Sequence, residues 1–370
     1  MTHSLRRARL AAALEVHNLD ALLVSDLINV RYLSGFTGSN AALLVFAGED
    51  RAVLATDARY RTQAARQAPG LEVAIERACG RHLIGTALAA GAVRIGFESH
   101  VVTVDAFDSL ARAIDADQRS AELVRASGTV EALREVKDAG EIALLRRACE
   151  AADTALKDLV ERGGIRPGRT ELAVARQLEA SILEYGADGR AFETIVAAGP
   201  NSAVPHHRPT DAVLAAGDFV KIDFGALVGG YHSDMTRTFV LGVPADWQRE
   251  IYDLVATAQR AGCRALSAGT TLSAVDAAAR QLIDVAGYAE NFGHGLGHGV
   301  GLQIHEAPGI NALATGPLRP GAVVTVEPGV YLPDRGGVRI EDTLLVGDRV
   351  GDRAESLTRF PRELFELEST

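Results

Sequence analysis

Four acids stand where strand cores ordinarily carry apolar groups. In Phe219-Val-Lys-Ile-Asp223-Phe-Gly, the period of two sends Val220, Ile222 and Phe224 one way and Asp223 the other. Asp234 follows in Tyr-His-Ser-Asp234-Met-Thr-Arg-Thr, and the Gly229-Gly230 turn between the two can fold the second strand back beside the first. In Val323-Val-Thr-Val-Glu327-Pro-Gly an apolar strand ends on a glutamate. In Gly337-Val-Arg-Ile-Glu341-Asp, Arg339 and Glu341 share the face opposite Val338 and Ile340. A single acid at a strand end is ordinarily a solvated edge residue. Four within one sheet region need cations or hydrogen-bond donors, because an unpaired buried carboxylate is costly.

A nitrogen partner for those acids lies in Asn291-Phe-Gly-His294-Gly-Leu-Gly-His298-Gly-Val-Gly-Leu-Gln-Ile-His305-Glu, where three histidines are interleaved with glycines. Glycines let a backbone approach an ion or substrate, and histidine is the commonest nitrogen ligand. A second cluster, Pro205-His206-His207-Arg-Pro209, sits on a proline-bracketed loop and by itself reads as a surface turn. Asp223, Asp234, Glu327 and Glu341 together carry four negative charges, which two divalent cations would neutralise. Carboxylate ligation with one imidazole suits Mn, Co, Fe or Zn. Two such ions about 3.5–4 Å apart share a water, lower its pKa and clamp a developing oxyanion, so hydrolysis is the natural chemistry. Thiolate ligation is excluded: Cys79, Cys149 and Cys263 are odd in number and far apart, which also rules out a disulfide framework and fits a reducing cytoplasm.

The elements that position these residues follow from the pattern. The 370 residues suggest two domains. Residues 1–127 alternate apolar runs (21–25, 41–46, 52–56, 93–97) with helical stretches (6–16, 58–67, 81–90, 106–114), an α/β domain in which Gly35-Phe-Thr-Gly-Ser-Asn turns between the first two strands. In residues 128–370, Asp138-Ala-Gly-Glu141 resembles a capping box ahead of a long helix stopped by Gly163-Gly164. Pro167-Gly-Arg-Thr170 opens a helix ending at Gly186, and Gly269-Thr-Thr271 opens one ending at Gly287, so two helix pairs are each followed by strands. The strands 218–241, 322–332 and 337–346 then form a mainly antiparallel, curved sheet with helices on one face and a site on the other. The fold class is α+β.

Hydrophobic residues at 47% and charged residues at 23% describe an ordinary globular chain. The net charge of −10 argues against nucleic acid as a partner. No apolar run is long enough for a membrane span, and Glu15 closes the N-terminal apolar stretch too early for a signal peptide.

The ordered set Asp223, Asp234, His298, Glu327, Glu341 resembles the five-ligand dinuclear centre of the creatinase/methionine aminopeptidase, or pita-bread, superfamily. Pro205-His206-His207-Arg-Pro-Thr, His298-Gly-Val-Gly-Leu-Gln-Ile-His305-Glu, Val326-Glu327-Pro-Gly-Val-Tyr and Gly337-Val-Arg-Ile-Glu341-Asp are similar to motifs of its Xaa-Pro aminopeptidases and Xaa-Pro dipeptidases (prolidases). Asp20-Ala-Leu-Leu-Val through Tyr32-Leu-Ser-Gly-Phe-Thr-Gly-Ser resembles their extra N-terminal domain. The resemblance implies a catalytic pita-bread domain over residues 128–370, a creatinase-like domain over 1–127, a homodimer, and two divalent ions with Mn first and Co, Zn or Fe as alternatives. Asp223 and Glu341 would bridge the ions, with Asp234 on one and His298 and Glu327 on the other. A bridging water would attack the carbonyl before proline, with Glu327 as general base. His206 and His305 would hold substrate and stabilise the oxyanion, His294 would line the pocket, and Arg339 and Thr236 would orient ligand carboxylates. Proline, with no N–H and a fixed φ, poorly fits peptidases that grip an extended backbone.

The implied substrates are small peptides with proline second. The reading inclines to an aminopeptidase over a prolidase restricted to dipeptides, which would need a cation for the proline carboxylate; Arg208 and Arg335 are candidates. Methionine aminopeptidase activity is disfavoured by the N-terminal domain and the Pro-His-His-Arg-Pro segment. A non-heme iron oxygenase built on His232-Ser-Asp234 leaves Asp223, Glu327 and Glu341 unexplained, and a non-catalytic scaffold would be expected to have lost ligands.

Overall fold

The computed structural model describes residues 2–117 and 119–368. It falls into two compact units, one ending at Arg134 and the other beginning at Glu135. In the first, the elements run α1 His3–Val16, β1 Ala21–Val24, α2 Leu27–Ser34, β2 Ala41–Phe46, β3 Ala52–Thr56, α3 Arg61–Gln67, β4 Glu72–Ile75, α4 Cys79–Ala89, β5 Arg94–Phe97, α5 Val104–Asp115, β6 Glu122–Arg125 and α6 Glu131–Arg134. The strands make one mixed sheet in the order β4-β3-β2-β1-β5-β6. Leu23, Leu44 and Val53 from the sheet pack with Leu83 and Ile84 of α4.

Two expectations need correction here. The Gly35 turn does not join the first two strands directly. Helix α2 intervenes, started by Asp26, whose carboxylate accepts from the Ile28 N–H at 2.8 Å, and ended by Gly35 at φ +81°. The edge strands β4 and β6 escaped the sequence reading because they are short and only half-buried, so no continuous apolar run marks them.

The second unit opens with α7 Ala139–Glu161, whose capping box is formed in full: Asp138 accepts from Glu141 N, and the Glu141 carboxylate accepts from Asp138 N. Next come α8 Glu171–Glu184, β7 Gly189–Arg190, β8 Ile195–Ala198, β9 Phe219–Phe224, β10 Ala226–Val228, β11 Tyr231–His232 and β12 Met235–Leu241. The other half has α9 Asp246–Ala265, α10 Leu272–Val285, β13 Gly297–Gly299, β14 Glu306–Ile310, β15 Val323–Val326, β16 Gly329–Leu332, β17 Gly336–Arg339, β18 Asp342–Leu345, β19 Glu355–Ser356 and β20 Glu366–Leu367.

Each helix pair covers its own sheet. Helices α7 and α8 bury Leu156 and Leu178 against Val220, Ile222 and Phe224 in the sheet β20-β12-β9-β8. Helices α9 and α10 bury Val255 and Val275 with Val324, Val338 and Ile340 beside the sheet β14-β13-β15-β18-β19 and the ribbon β16-β17. Burying each such side chain contributes about 1.5–3 kcal/mol. The long strands expected over 322–332 and 337–346 are each broken in two. The chain leaves β15 at Glu327-Pro328 and enters β16, a strand of another sheet; it leaves β17 at Ile340-Glu341 and enters β18. Proline cannot donate to a ladder, which explains the first break. Both glutamates therefore sit where the chain crosses between sheets.

Candidate active site

A cavity of about 760 Å³ opens in the second unit, and Asp223, Asp234, His298, Glu327 and Glu341 all line it. So do His206, His294, His305 and Arg339. Thr236 lies behind the wall, where its hydroxyl donates to Glu341 Oε2 at 2.7 Å. The five candidate ligands, the three histidines, Arg339 and Thr236 are thus brought to one place.

Strand alternation delivers the first two acids. Val220, Ile222 and Phe224 point into the helix-covered core while Asp223 faces the cavity, paired in register with Thr236 of β12. Their close approach depends on Gly225. A Cβ there would lie 1.8 Å from the Ser233 carbonyl oxygen, so only glycine lets the Asp223 strand pass beside the residue preceding Asp234. Gly297 does the same for β13: a Cβ would lie 2.1 Å from the Thr325 carbonyl oxygen. Thr325 then strings two site residues together, its hydroxyl accepting from His298 N at 3.0 Å and donating to Glu327 Oε1 at 3.2 Å.

The candidate donor atoms converge. His298 Nε2 is 3.3 Å from Glu327 Oε1 and 3.6 Å from Asp234 Oδ2, and one donor atom each from Asp234, His298 and Glu341 lies within 4.8 Å of the others. His298 Nδ1 rests on the Gly299 carbonyl at 3.0 Å, which fixes the ring with Nε2 toward the carboxylates. Burial, then repulsion from Glu341, Asp223 and Glu327, pushes the Asp234 pKa well above the ordinary range. Glu341 is raised by burial and by Glu327 and Asp223. Burial pushes Glu327 up too, but its hydrogen bond and charge interaction with His298 outweigh this and bring it to about 2. Burial disfavours charge on His298, yet Glu327 raises its pKa overall.

These residues fit divalent cations. Asp223 Oδ1 is buried with no hydrogen-bond partner, while Oδ2 is held by the Arg339 guanidinium. Four clustered carboxylates repel one another, and a set of oxygens with one imidazole is the donor chemistry of borderline divalent ions.

Further groups tie the wall together. Arg339 donates through Nε to Thr236 at 3.1 Å and through Nη1 to the Tyr331 hydroxyl at 2.8 Å and the Pro205 carbonyl at 3.2 Å. The Tyr331 hydroxyl also meets His294 Nε2 at 2.9 Å, and burial pushes its pKa up to about 12. Burial lowers His294, and burial with the neighbouring His298 lowers His305, whose ring centroid lies 4.4 Å from that of His298. His206 is exposed at the cavity mouth. Of the two candidate carboxylate-binding arginines, Arg208 lines the cavity in a pair with Glu193 at 2.9 Å, whereas Arg335 lies over Trp247.

Sequence reasoning missed Glu171, which is fully buried and accepts from Ala198 N, Asn201 Nδ2 and Thr210 and pairs with His207 Nε2 at 2.8 Å. It also missed Lys221, Thr325 and Tyr331. Lys221 carried a signal, being a lysine inside an apolar strand on the face of Asp223. Tyr331 ends a motif noted for its glutamate, whereas Glu171 had no local signal.

Two helix-covered halves with a carboxylate-rich cavity at their strands define a pita-bread metallo-exopeptidase. The chain belongs to metallopeptidase family M24, which residues 143–348 match, and residues 6–136 match the creatinase/prolidase N-terminal domain. It is 34% identical over 351 residues to a Xaa-Pro dipeptidase of Pyrococcus horikoshii, covering 95% of this chain and 96% of that one. Among solved structures, it is similar to a Xaa-Pro dipeptidase from Bacillus anthracis (TM-score 0.92, 38% identity, 99% and 100% of the two chains). It is also similar to an X-Pro aminopeptidase from Thermotoga maritima (TM-score 0.87, 35% identity, 98% and 99%). No helix among the described residues is long and apolar enough to cross a membrane.

Proposed function

We propose that the chain removes the N-terminal residue from peptides with proline second, as a Xaa-Pro aminopeptidase. The observation that carries the hydrolytic reading is the convergence of Asp234, His298 and Glu341 beside the unpartnered Asp223 Oδ1. Asp223, Asp234, His298, Glu327 and Glu341 would hold two divalent cations, Mn first and Co, Zn or Fe as alternatives, which supply Lewis acidity and lower the pKa of a shared water. Glu327, lining the cavity 3.3 Å from His298 Nε2, is placed to accept a proton. His305, its pKa lowered, is neutral near pH 7 and with His206 offers N–H groups to the carbonyl oxygen as it gains charge. His294 lines the pocket with its ring held by Tyr331. Arg339 and Thr236 fix the Asp223 and Glu341 carboxylates.

Preference for proline rests on the family and on the names of its relatives. A longer peptide is favoured by the cavity's 760 Å³, in the upper part of the 300–1,000 Å³ that pockets for drug-sized ligands span and roomy for a dipeptide. The dipeptidase reading is favoured by the relatives named Xaa-Pro dipeptidase. Mass spectrometry of Mn-loaded protein incubated with Ala-Pro and with Ala-Pro-Ala separates the two. Release of alanine from the tripeptide supports the aminopeptidase, cleavage of Ala-Pro alone replaces it with the prolidase, and inertness toward both removes the reading. A homodimer and a cytoplasmic location belong to the same proposal; sizing by light scattering and cell fractionation test them.

A further inference from the structure

We infer that Lys221 is a positioning residue for His206, its side-chain nitrogen fastening the backbone of residues 202–205 from which His206 projects at the cavity mouth. The inference rests on the proposed function for its catalytic meaning. Lys221 lies on β9 with no solvent exposure, on the strand face of Asp223. Its Nζ donates to three main-chain carbonyls in succession, Ser202 at 3.0 Å, Val204 at 2.7 Å and Pro205 at 3.3 Å. Burial, then the nearby Arg339, lowers its pKa well below the ordinary lysine value, and no carboxylate pairs with it among the described residues. A leucine or methionine would fill this strand position without the cost of desolvating an ammonium. What only the lysine supplies is a grip on the chain that crosses above it.

That grip is one of two. On the other side of His206, Glu171 holds His207 and Thr210. Arg339 reinforces the first side at the Pro205 carbonyl, and the Ser202 hydroxyl accepts from Gly337 N at 2.9 Å. Between Pro205 and His207, both fastened, His206 is left exposed and lines the cavity. Loops are ordinarily the mobile parts of a site. Here an exposed histidine is held through the hydrogen bonds of a buried lysine.

The test is a double-mutant cycle on Mn-loaded protein with Lys221→Met, His206→Ala and the pair. It is read as kcat/KM on Ala-Pro and Ala-Pro-Ala and accompanied by amide hydrogen exchange without substrate. Each single variant should lose activity on the order of 10- to 100-fold, the scale of a misplacement near 1 Å. The double variant should be no worse than the weaker single, because once the anchor is gone His206 has little left to contribute. Exchange should quicken in residues 202–208 of Lys221→Met and stay unchanged in the strands of the other sheet. Losses that multiply, or unchanged exchange over 202–208, overturn the inference. Wild type inert on every Xaa-Pro peptide would instead overturn the proposed function, leaving exchange to decide the anchor. Should Lys221→Met not fold, Lys221→Gln, which keeps two donors, carries the same cycle.

Discussion

Replacing Gly225 by alanine places a methyl group where the structure has a carbonyl. The added Cβ would sit 1.8 Å from the Ser233 oxygen and 2.9 Å from the Ala191 Cβ. Real Cβ atoms keep at least about 3.0 Å, so the two segments must part by about 1.2 Å, and neither obstacle is a flexible side-chain tip. The parting strains the hydrogen bonds that cross here, Ser233 N to the Ala226 carbonyl and Ala226 N to Ser233 Oγ, both 2.9 Å. Overpacking of this kind costs on the order of 1–3 kcal/mol of stability. The larger effect falls on the site, because Asp223 and Asp234 ride on the two separated segments. A displacement near 1 Å costs on the order of 100-fold in rate. Gly225→Ala should therefore stay folded by circular dichroism, bind less Mn per chain by elemental analysis, and hydrolyse Ala-Pro-Ala at about 1% of the wild-type kcat/KM. An alanine variant with full metal content and undiminished turnover would refute the claim that this crossing sets the spacing of the two acids.

Glu327→Gln, which keeps the shape and removes the base, should cut kcat by on the order of 100- to 10,000-fold while the chain stays folded by circular dichroism; unchanged turnover in steady-state assays removes Glu327 from proton transfer. Chelation should lower the melting temperature as well as abolish activity, since ligands of the folded state stabilise it by mass action, and added Mn should restore both; a verified metal-free protein of full activity contradicts the dinuclear proposal. Arg237 is buried, pairs with Asp342 at 2.8 Å and donates to the Pro361 carbonyl at 2.8 Å; Arg237→Met leaves that carbonyl without its donor while Arg362, Gln259 and Thr358 still hold Asp342, and should cost on the order of 1–3 kcal/mol in urea titration. Burial raises Asp153 from 3.8 to about 6 despite hydrogen bonds from Arg359 N and Phe360 N. The folded state therefore holds this proton more tightly than the unfolded chain, and stability is lost as pH rises from about 4 through 6. Its partial exposure screens the effect to on the order of 1–3 kcal/mol, and Asp153→Asn should flatten that slope in denaturation midpoints taken at pH 4.5 and 7.5.

What the sequence made legible was whatever repeats locally. Alternation in 219–224 and 337–341 told which side chains leave the core, and the caps at Asp138, Thr170 and Thr271 set helix starts. Glycine-spaced histidines marked a backbone meant to come close to something. The hidden part was made by contacts across long stretches of chain. Glu171 meets His207 only once α8 and the 199–210 loop are packed, and Tyr331 reaches His294 and Arg339 only because β16 and β17 pair. Nothing near Thr325 predicts that its hydroxyl joins His298 to Glu327. The breaks at Glu327 and Glu341 were hidden for a related reason: each looks locally like one long strand, and only the two-sheet architecture requires the chain to change sheets there.

That change of sheets bears on how the protein is made. Asp223 and Asp234 belong to the first helix-covered half, while His298, Glu327 and Glu341 come from the second. A chain emerging from the ribosome makes Asp223 and Asp234 before the second half's histidine and glutamates exist, and β20, near the end of the chain, joins the first half's sheet last. The donor set closes only when Glu341 has been synthesised and the second half has docked. With the proposed ligand set, metal loading would be a late event in biosynthesis, and a chain interrupted between the halves would carry half a site with little means of retaining an ion.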